Sequence, residues 1–428
     1  MKAKFLILIL LAGIFLRGNT IFAPLGVPLQ SYGNDVYGLG MGNTGISDLY
    51  RINGNQENAS LLTTSNIVTI STAMNMGYYW YKSDTETFKD DELYLPFFTL
   101  SIPIKMHRLG ISLNSVYSGN LFTGSKGLIF TPDTSETSLD SLQYDEIIRK
   151  TEELFKTSLH YAIKSKYANL GISLQYYFGN QVRYWSLDFA ELTMTDSKYE
   201  VEKNYSGISY KIGASRKFDT VSVGLSYEPS VKLKGDKVYR YNFYPQEESL
   251  KDDEELYKVP TNINGGLTWI FKKTFKLGLE CNYILWSETV EEYTTENGNM
   301  KKYDNSWRLG TGIAYDPLSG IGKWYNRIPL RAGASLSKLP FKSENSQIYE
   351  VILSAGSTIK LDSSGRKIDI AVRYAYRGNR EQSGYRDKSL QLVIGLTGFD
   401  IFRKTIKRTG EREIPKVDPG MESREDRQ

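Results

Sequence analysis

Soft metal ligands are nearly absent from this chain: 428 residues contain one cysteine, Cys281, and two histidines, His107 and His160. A lone thiol excludes a disulfide framework and the cysteine-rich metal modules. Two histidines give no basis for a zinc site, so neither a metal nor another cofactor is expected. A dominant charge is missing too. The balance of 53 Lys+Arg against 49 Asp+Glu leaves +4, without the basic stripe of a nucleic-acid binder, and nucleic acid is excluded as a partner. Beyond the N-terminus no run of 18 apolar residues occurs, so no transmembrane helix is expected. What the chain does have is tyrosine and glycine, 31 and 37 residues, beside a mean hydropathy of −0.39. That is too polar for a helical membrane protein and too aromatic for a disordered one.

The N-terminus reads as an export signal. Lys2 and Lys4 precede an apolar run from Phe5 to Leu16, with the small Ala23 after it, a charged region and a hydrophobic region of secretory length. Residues 1–23 are expected to be removed. Losing Lys2, Lys4 and Arg17 takes the charge from +4 to +1. A secreted chain without helical spans can still cross a membrane if it closes a sheet.

From about residue 66 onward the pattern alternates with period two, which gives a strand one apolar face. Leu170, Ile172, Leu174 and Tyr176 alternate with Gly171, Ser173, Gln175 and Tyr177; Ile368, Ile370, Val372 and Tyr374 alternate with Asp369 and Arg373. About fourteen such segments are expected between residues 66 and 402. Each is long enough to cross an apolar band that takes ~9–11 tilted residues. Tight turns (Met106, 164–166, Asp219, 272–273) alternate with long hydrophilic gaps, at 82–92, 119–150, 180–203, 233–256, 290–301, 339–347 and 379–385. Short turns at one end and long loops at the other describe an outer-membrane β-barrel with its short turns toward the periplasm. The fold expected is all-β: a transmembrane antiparallel barrel of about fourteen strands.

In such a barrel the apolar set faces lipid and the polar set lines the lumen. Glu280, Arg308, Arg331, Glu350, Asp369 and Arg373 fall on the inward side. Fourteen strands enclose a lumen too wide for side chains alone to fill. Tyr78, Tyr79, Trp80, Trp185, Trp269, Trp286, Trp307 and Trp324, near strand ends, read as interfacial girdles. Residues 24–65 do not alternate and are rich in Gly and Asn; they read as a plug for the lumen, with glycine allowing tight turns.

Gly40-Met41-Gly42 and Glu57-Asn58-Ala59-Ser60-Leu61 carry a resemblance to the FadL-type outer-membrane transport family. There a Met-Gly-Gly core and an Asn-Pro-Ala stretch form an N-terminal hatch. Leu330-Arg331-Ala332-Gly333 and Ile368-Asp369-Ile370-Ala371 are similar as well. The resemblance implies that Gly40, Met41, Gly42, Asn58, Ala59, Ser60 and Leu61 form the hatch. It departs at Glu57 and Asn58, where the family has Asn-Pro. It further implies a bacterial outer-membrane channel for passive uptake of hydrophobic compounds such as long-chain fatty acids. The alternative is a non-transporting barrel acting as a shuttle or scaffold in protein secretion.

No catalysis is expected. His160 shares the inward face with Lys156 and Ser158, but a nucleophile needs a base and an orienting third group, and the spacing supplies none. The partners implied are a hydrophobic small molecule, outer-membrane lipid and the barrel assembly machinery. The polar tail at 403–428, after Phe399 and Phe402, is a handle for a periplasmic protein or a plain extension.

Overall fold

Alternate residues on consecutive strands meet two different surroundings, and in the computed structural model the sheet they build closes on itself. The structure describes residues 35–82, 87–132, 139–189, 196–243, 246–289, 292–294, 300–317, 328–343, 346–361, 366–379 and 386–398, with the isolated 29–30, 381 and 384. The export segment, the tail at 403–428 and Trp324 lie outside the described residues.

The fourteen barrel strands are β1 (Thr69–Lys82), β2 (Thr87–Tyr94 continuing as Phe97–Ile104), β3 (His107–Pro132), β4 (Leu139–Ile163), β5 (Asn169–Phe189) and β6 (Ser197–Phe218). Then come β7 (Val221–Glu228 continuing as Val231–Phe243), β8 (Gln246–Val259 with Asn262–Phe271), β9 (Phe275–Ile284) and β10 (Ser306–Tyr315). The last are β11 (Leu330–Ser343), β12 (Ser346–Lys360), β13 (Lys367–Arg377) and β14 (Arg386–Thr397). All are antiparallel to their neighbours, and β14 closes on β1 from Ser71↔Thr397 to Lys82↔Arg386.

The alternation sorts the two faces as read from the sequence. On β5, Leu170, Ile172, Leu174 and Tyr176 are exposed while Ser173, Gln175 and Tyr177 are buried. Leu225, Ile313, Leu353 and Leu390 continue the exposed set on other strands. Contiguous apolar surface on this scale has no place in water, and a lipid surround satisfies it. The protein is an outer-membrane barrel.

Two expectations need correction. The stretches 119–150, 180–203 and 233–256, taken as long loops, are largely strand. The β3–β4 pairing runs out to Pro132↔Leu139 and the β7–β8 pairing to Phe243↔Gln246. Beyond the bilayer both faces of a hairpin meet water, so nothing in the sequence has to alternate, although the backbone ladder continues. The second concerns the girdle. Tyr78 and Trp269 are exposed on the outer wall, but Tyr79 and Trp286 are buried inside. At the other end the short turns are as tight as expected, with Lys105, Asp219, Lys272 and Lys273 in the left-handed region.

Two things fill the lumen. One is the N-terminal segment, residues 35–65. The other is an apolar layer beyond it that includes Tyr117, Leu154, Tyr177, Tyr205, Leu233 and Trp286.

Candidate functional site

Glycine decides how the N-terminal segment meets the wall. Inward-facing positions on successive strands carry glycine, and several are cross-strand neighbours: Gly171↔Gly213, Gly224↔Gly266, Gly278↔Gly312 and Gly312↔Gly333. A Cβ on Gly333 would lie 2.3 Å from Gly42 N, on Gly312 2.3 Å from Met41 O, on Gly224 2.3 Å from Ile46 O, and on Gly171 2.4 Å from Ser60 N. A strand glycine of this kind marks close backbone approach. The segment thus lies directly on wall backbone, and Gly42, at φ 70, turns there in the left-handed region.

Short local structures prepare the segment to fit. Asp35 caps the helix Val36–Leu39 (α1) by accepting from Gly38 N, and Asn58 caps the 3₁₀ turn Ala59–Thr64 by accepting from Ser60 N. Each supplies an acceptor to a helix start that would otherwise hold unpaired N–H groups. Asn58 also donates to Ala214 O at 3.1 Å and Ile46 O at 3.3 Å, and Ser60 Oγ lies 2.7 Å from Ser215 Oγ. Arg51 bridges Asp35 and Asp48 within the segment.

Buried charge then ties the segment to the strands. Lys211 of β6 sits 2.6 Å from Glu57 and 2.7 Å from Glu228 of β7, with Lys156 of β4 3.5 Å from Glu228. Lys276 of β9 reaches Asp48 at 3.1 Å. Glu280 accepts from Ile46 N at 3.0 Å and from Arg308 at 2.8 Å, while Arg308 donates to Asn43 O. A gate would need few stabilising contacts, whereas this segment, lying as a floor across the lumen, is tied to the wall by several buried ion pairs and hydrogen bonds. For Glu57 burial opposes ionisation, but Lys211 and Lys156 outweigh it and hold the carboxyl down at about 2. A depressed carboxyl contributes stability that is complete above its usual 4.5 and is lost as pH falls through about 2. The protection factors of the amides of residues 55–64, taken against their intrinsic rates at each pH, should therefore be high near neutral pH and fall across that acid window. Unchanged protection down to its lower edge would show that the pair does not hold the floor.

The structure accounts for the residues singled out in the sequence as follows. Met41, Asn58, Ala59, Ser60 and Leu61 are buried, and Gly40 and Gly42 pack on Arg331 and on the β10 and β11 backbone. Glu280 and Arg308 hold the segment directly. Arg331 donates on the wall to Thr358 and Ser357 O, pairs with Asp369 at 3.3 Å and lies over the Tyr37 ring of the segment at 4.4 Å. Glu350 pairs with Arg377, and Arg373 donates to Gln391 at 3.0 Å. Missed in the sequence were Lys211, Lys276, Arg51 and the wall glycines. Glycine at inward positions in mid-strand, where it weakens a strand, was the available signal.

His160 is buried between two hydroxyls, Ser112 Oγ at 2.7 Å from Nε2 and Ser173 Oγ at 2.7 Å from Nδ1. Both ring nitrogens are occupied by these wall hydroxyls, and no carboxylate pairs with the ring among the described residues.

Beyond the floor the apolar layer closes over a void of about 20 Å³ lined by Glu57, Lys156, Tyr177 and Glu228, about the space of one water. Tyr117, Trp286 and Tyr303 pack ring on ring there. Beside this layer the β6–β7 ladder is interrupted. Pairing stops at Ile212↔Tyr227 and resumes at Ser206↔Lys234, around Pro229, which has no N–H to donate. Tyr205 and Leu233 at this seam belong to the layer. A groove of about 700 Å³ runs along β4 to β7 beside this seam, lined in part by Phe155, Phe178 and Tyr205.

The sequence matches the BamG family over residues 33–405, nearly all of the chain. The chain belongs to the BamG family. No curated protein resembles it in sequence. Among solved structures it is similar to a Pseudomonas aeruginosa FadL homologue, at 13% identity and TM-score 0.60, with 87% of this chain and 99% of that one covered. It is also similar to the CymD monoaromatic hydrocarbon channel, at 13% identity and TM-score 0.57, covering 86% and 98%. The Ralstonia pickettii toluene transporter TbuX follows at 12% and 0.58, covering 86% and 98%. At these identities the likeness establishes a shared fold: this BamG-family chain is a barrel of the FadL type.

Proposed function

We propose that the protein is an outer-membrane channel for small hydrophobic compounds. Solute enters from the outward mouth, crosses the apolar layer and leaves sideways at the β6–β7 seam, with residues 35–65 as a fixed floor that blocks the straight path. The observation carrying this is the joining of the aromatic lumen layer, through Tyr205 and Leu233, to a stretch of wall where the β6–β7 pairing lapses. An apolar pocket with few polar groups is what a hydrophobic ligand requires. The solved relatives titled as channels and transporters for monoaromatic hydrocarbons and toluene support compounds of that size over long-chain fatty acids. In proteoliposomes, toluene entry should exceed that in protein-free vesicles, and Leu233→Asp should abolish the difference. Background flux for the wild type would sink the reading.

One observation favours a second reading. A floor held by glycine seats and buried ion pairs does not have to open, and the BamG family name fits a non-transporting barrel that serves the barrel assembly machinery as a scaffold. Co-purification of assembly components with the tagged protein, together with absent toluene flux, would decide for it.

A further inference from the structure

The short-turn end of the barrel carries charge of almost one sign. Lys105 on β2–β3, Lys164 and Lys166 on β4–β5, Lys217 on β6–β7, and Lys272 and Lys273 on β8–β9 are all exposed. Lys360 and Arg366 repeat the pattern between β12 and β13. Among the described residues of these turns Asp219 is the exposed acid, and Asp316 nearby is taken up by Lys276 and Tyr37. No ion pair is formed by Lys164, Lys166, Lys272 or Lys273 among the described residues. The opposite end differs. There Arg240 pairs with Glu200 and Glu202, Lys126 with Asp145, and Lys342 with Asp304. Among the described residues the surplus belongs to this rim, while the composition is near neutral.

The depth of these cations is fixed by aromatic rings next to them. Trp269, Phe271, Phe275 and Tyr315 form a continuous run around the β8–β9 turn, with centroids 5.3, 5.5 and 5.2 Å apart. Tyr161 near the end of β4, Tyr167 in the β4–β5 turn and Phe218 at the end of β6 are exposed close to the same turns. Such rings settle where acyl chains give way to headgroups. The lysines follow within a few residues, at ~3.3 Å of rise per residue, which places their ammonium groups at phosphate depth. We propose that this rim binds the headgroups of anionic phospholipids in the periplasmic leaflet, holding a shell of acidic lipid around the short-turn end of the barrel. A soluble acidic protein would not require the cations to sit level with a ring of lipid-facing aromatics; a headgroup does.

The full-length protein in phosphatidylcholine bilayers, probed with spin-labelled phosphatidylglycerol against spin-labelled phosphatidylcholine, measures the preference directly. The anionic label should associate several-fold more strongly at low salt. The preference should collapse near 1 M salt, where the Debye length is ~3 Å. The combined variant Lys164→Gln, Lys166→Gln, Lys272→Gln and Lys273→Gln should bring the two labels close to parity, whereas Lys126→Gln with Arg240→Gln at the far end should leave the preference intact. Equal association of both labels with the wild type would overturn the proposal. So would a preference that survives high salt, which needs no variant to fold, or one that survives neutralising the rim.

Discussion

Replacing Gly333 with valine should unseat the front of the N-terminal segment. The Cβ position at 333 is 2.3 Å from two backbone atoms, Gly42 N and Met41 C, and no side-chain rotation can relieve a clash with backbone. Overpacking of a filled site costs about 1–3 kcal/mol even where side chains can adapt, and here the cost lies at or beyond the top of that range. Most of it falls on the segment and little on the wall, because Gly333 keeps its ladder partners Gly312 and Ser354 whatever its side chain. Amide exchange should separate the two effects. Protection at residues 36–46 collapses, while β10, β11 and β12 keep theirs. Gly265 provides the control: it lies in the same sheet on the opposite parity, and its Cβ would meet a single atom within reach, Leu225 Cδ2 at 3.1 Å. Gly265→Ala should change neither. If Gly333→Val leaves residues 36–46 fully protected, the segment does not lie on the wall as described.

The barrel was legible in the sequence because lipid on one side and a polar lumen on the other impose alternation on every crossing. The β5 set Leu170 to Tyr176 and the β13 set Ile368 to Tyr374 both follow it. The outer hairpins were not legible, since side chains such as Lys126 and Asp145 stand in water and the pattern carries no record of their pairing. The lumen was half legible. Glu280 and Arg308 declared themselves as charges on the inward face, but what they bind, Ile46 N and Asn43 O, is backbone and leaves no mark on residue type. Glu57 and Asn58 looked like departures from a hatch motif. Each has a role instead: Glu57 answers Lys211, and Asn58 caps the turn that a proline would have stiffened. Trp286 was misplaced for a related reason. A strand-end aromatic can point either way, and inward-facing Tyr117 and Tyr303, distant in sequence, decide that it points in.

Lys211→Met should be among the most damaging single changes to the floor. The ammonium group sits between two buried carboxylates, Glu57 on the segment and Glu228 on the wall. Removing it leaves them facing each other with Lys156, 3.5 Å from Glu228, and the more remote Arg308 to balance them. Breaking a buried pair by deleting one partner costs about 3–5 kcal/mol, since the stranded charge keeps its desolvation penalty. An exposed pair such as Lys342–Asp304 contributes roughly 0–1 kcal/mol, so Lys342→Met sets the baseline. The midpoint of thermal unfolding, read from the mobility shift of the heated barrel, should drop clearly for Lys211→Met and barely for Lys342→Met. The double variant Lys211→Met with Glu57→Gln should recover much of the loss, because Lys156 then needs to balance Glu228 alone. That recovery separates charge balance from simple packing: a methionine that merely fits badly would be no better tolerated beside glutamine than beside glutamate. Equal midpoints for Lys211→Met and Lys342→Met would mean that water reaches the site, and that the floor is more open than its burial indicates.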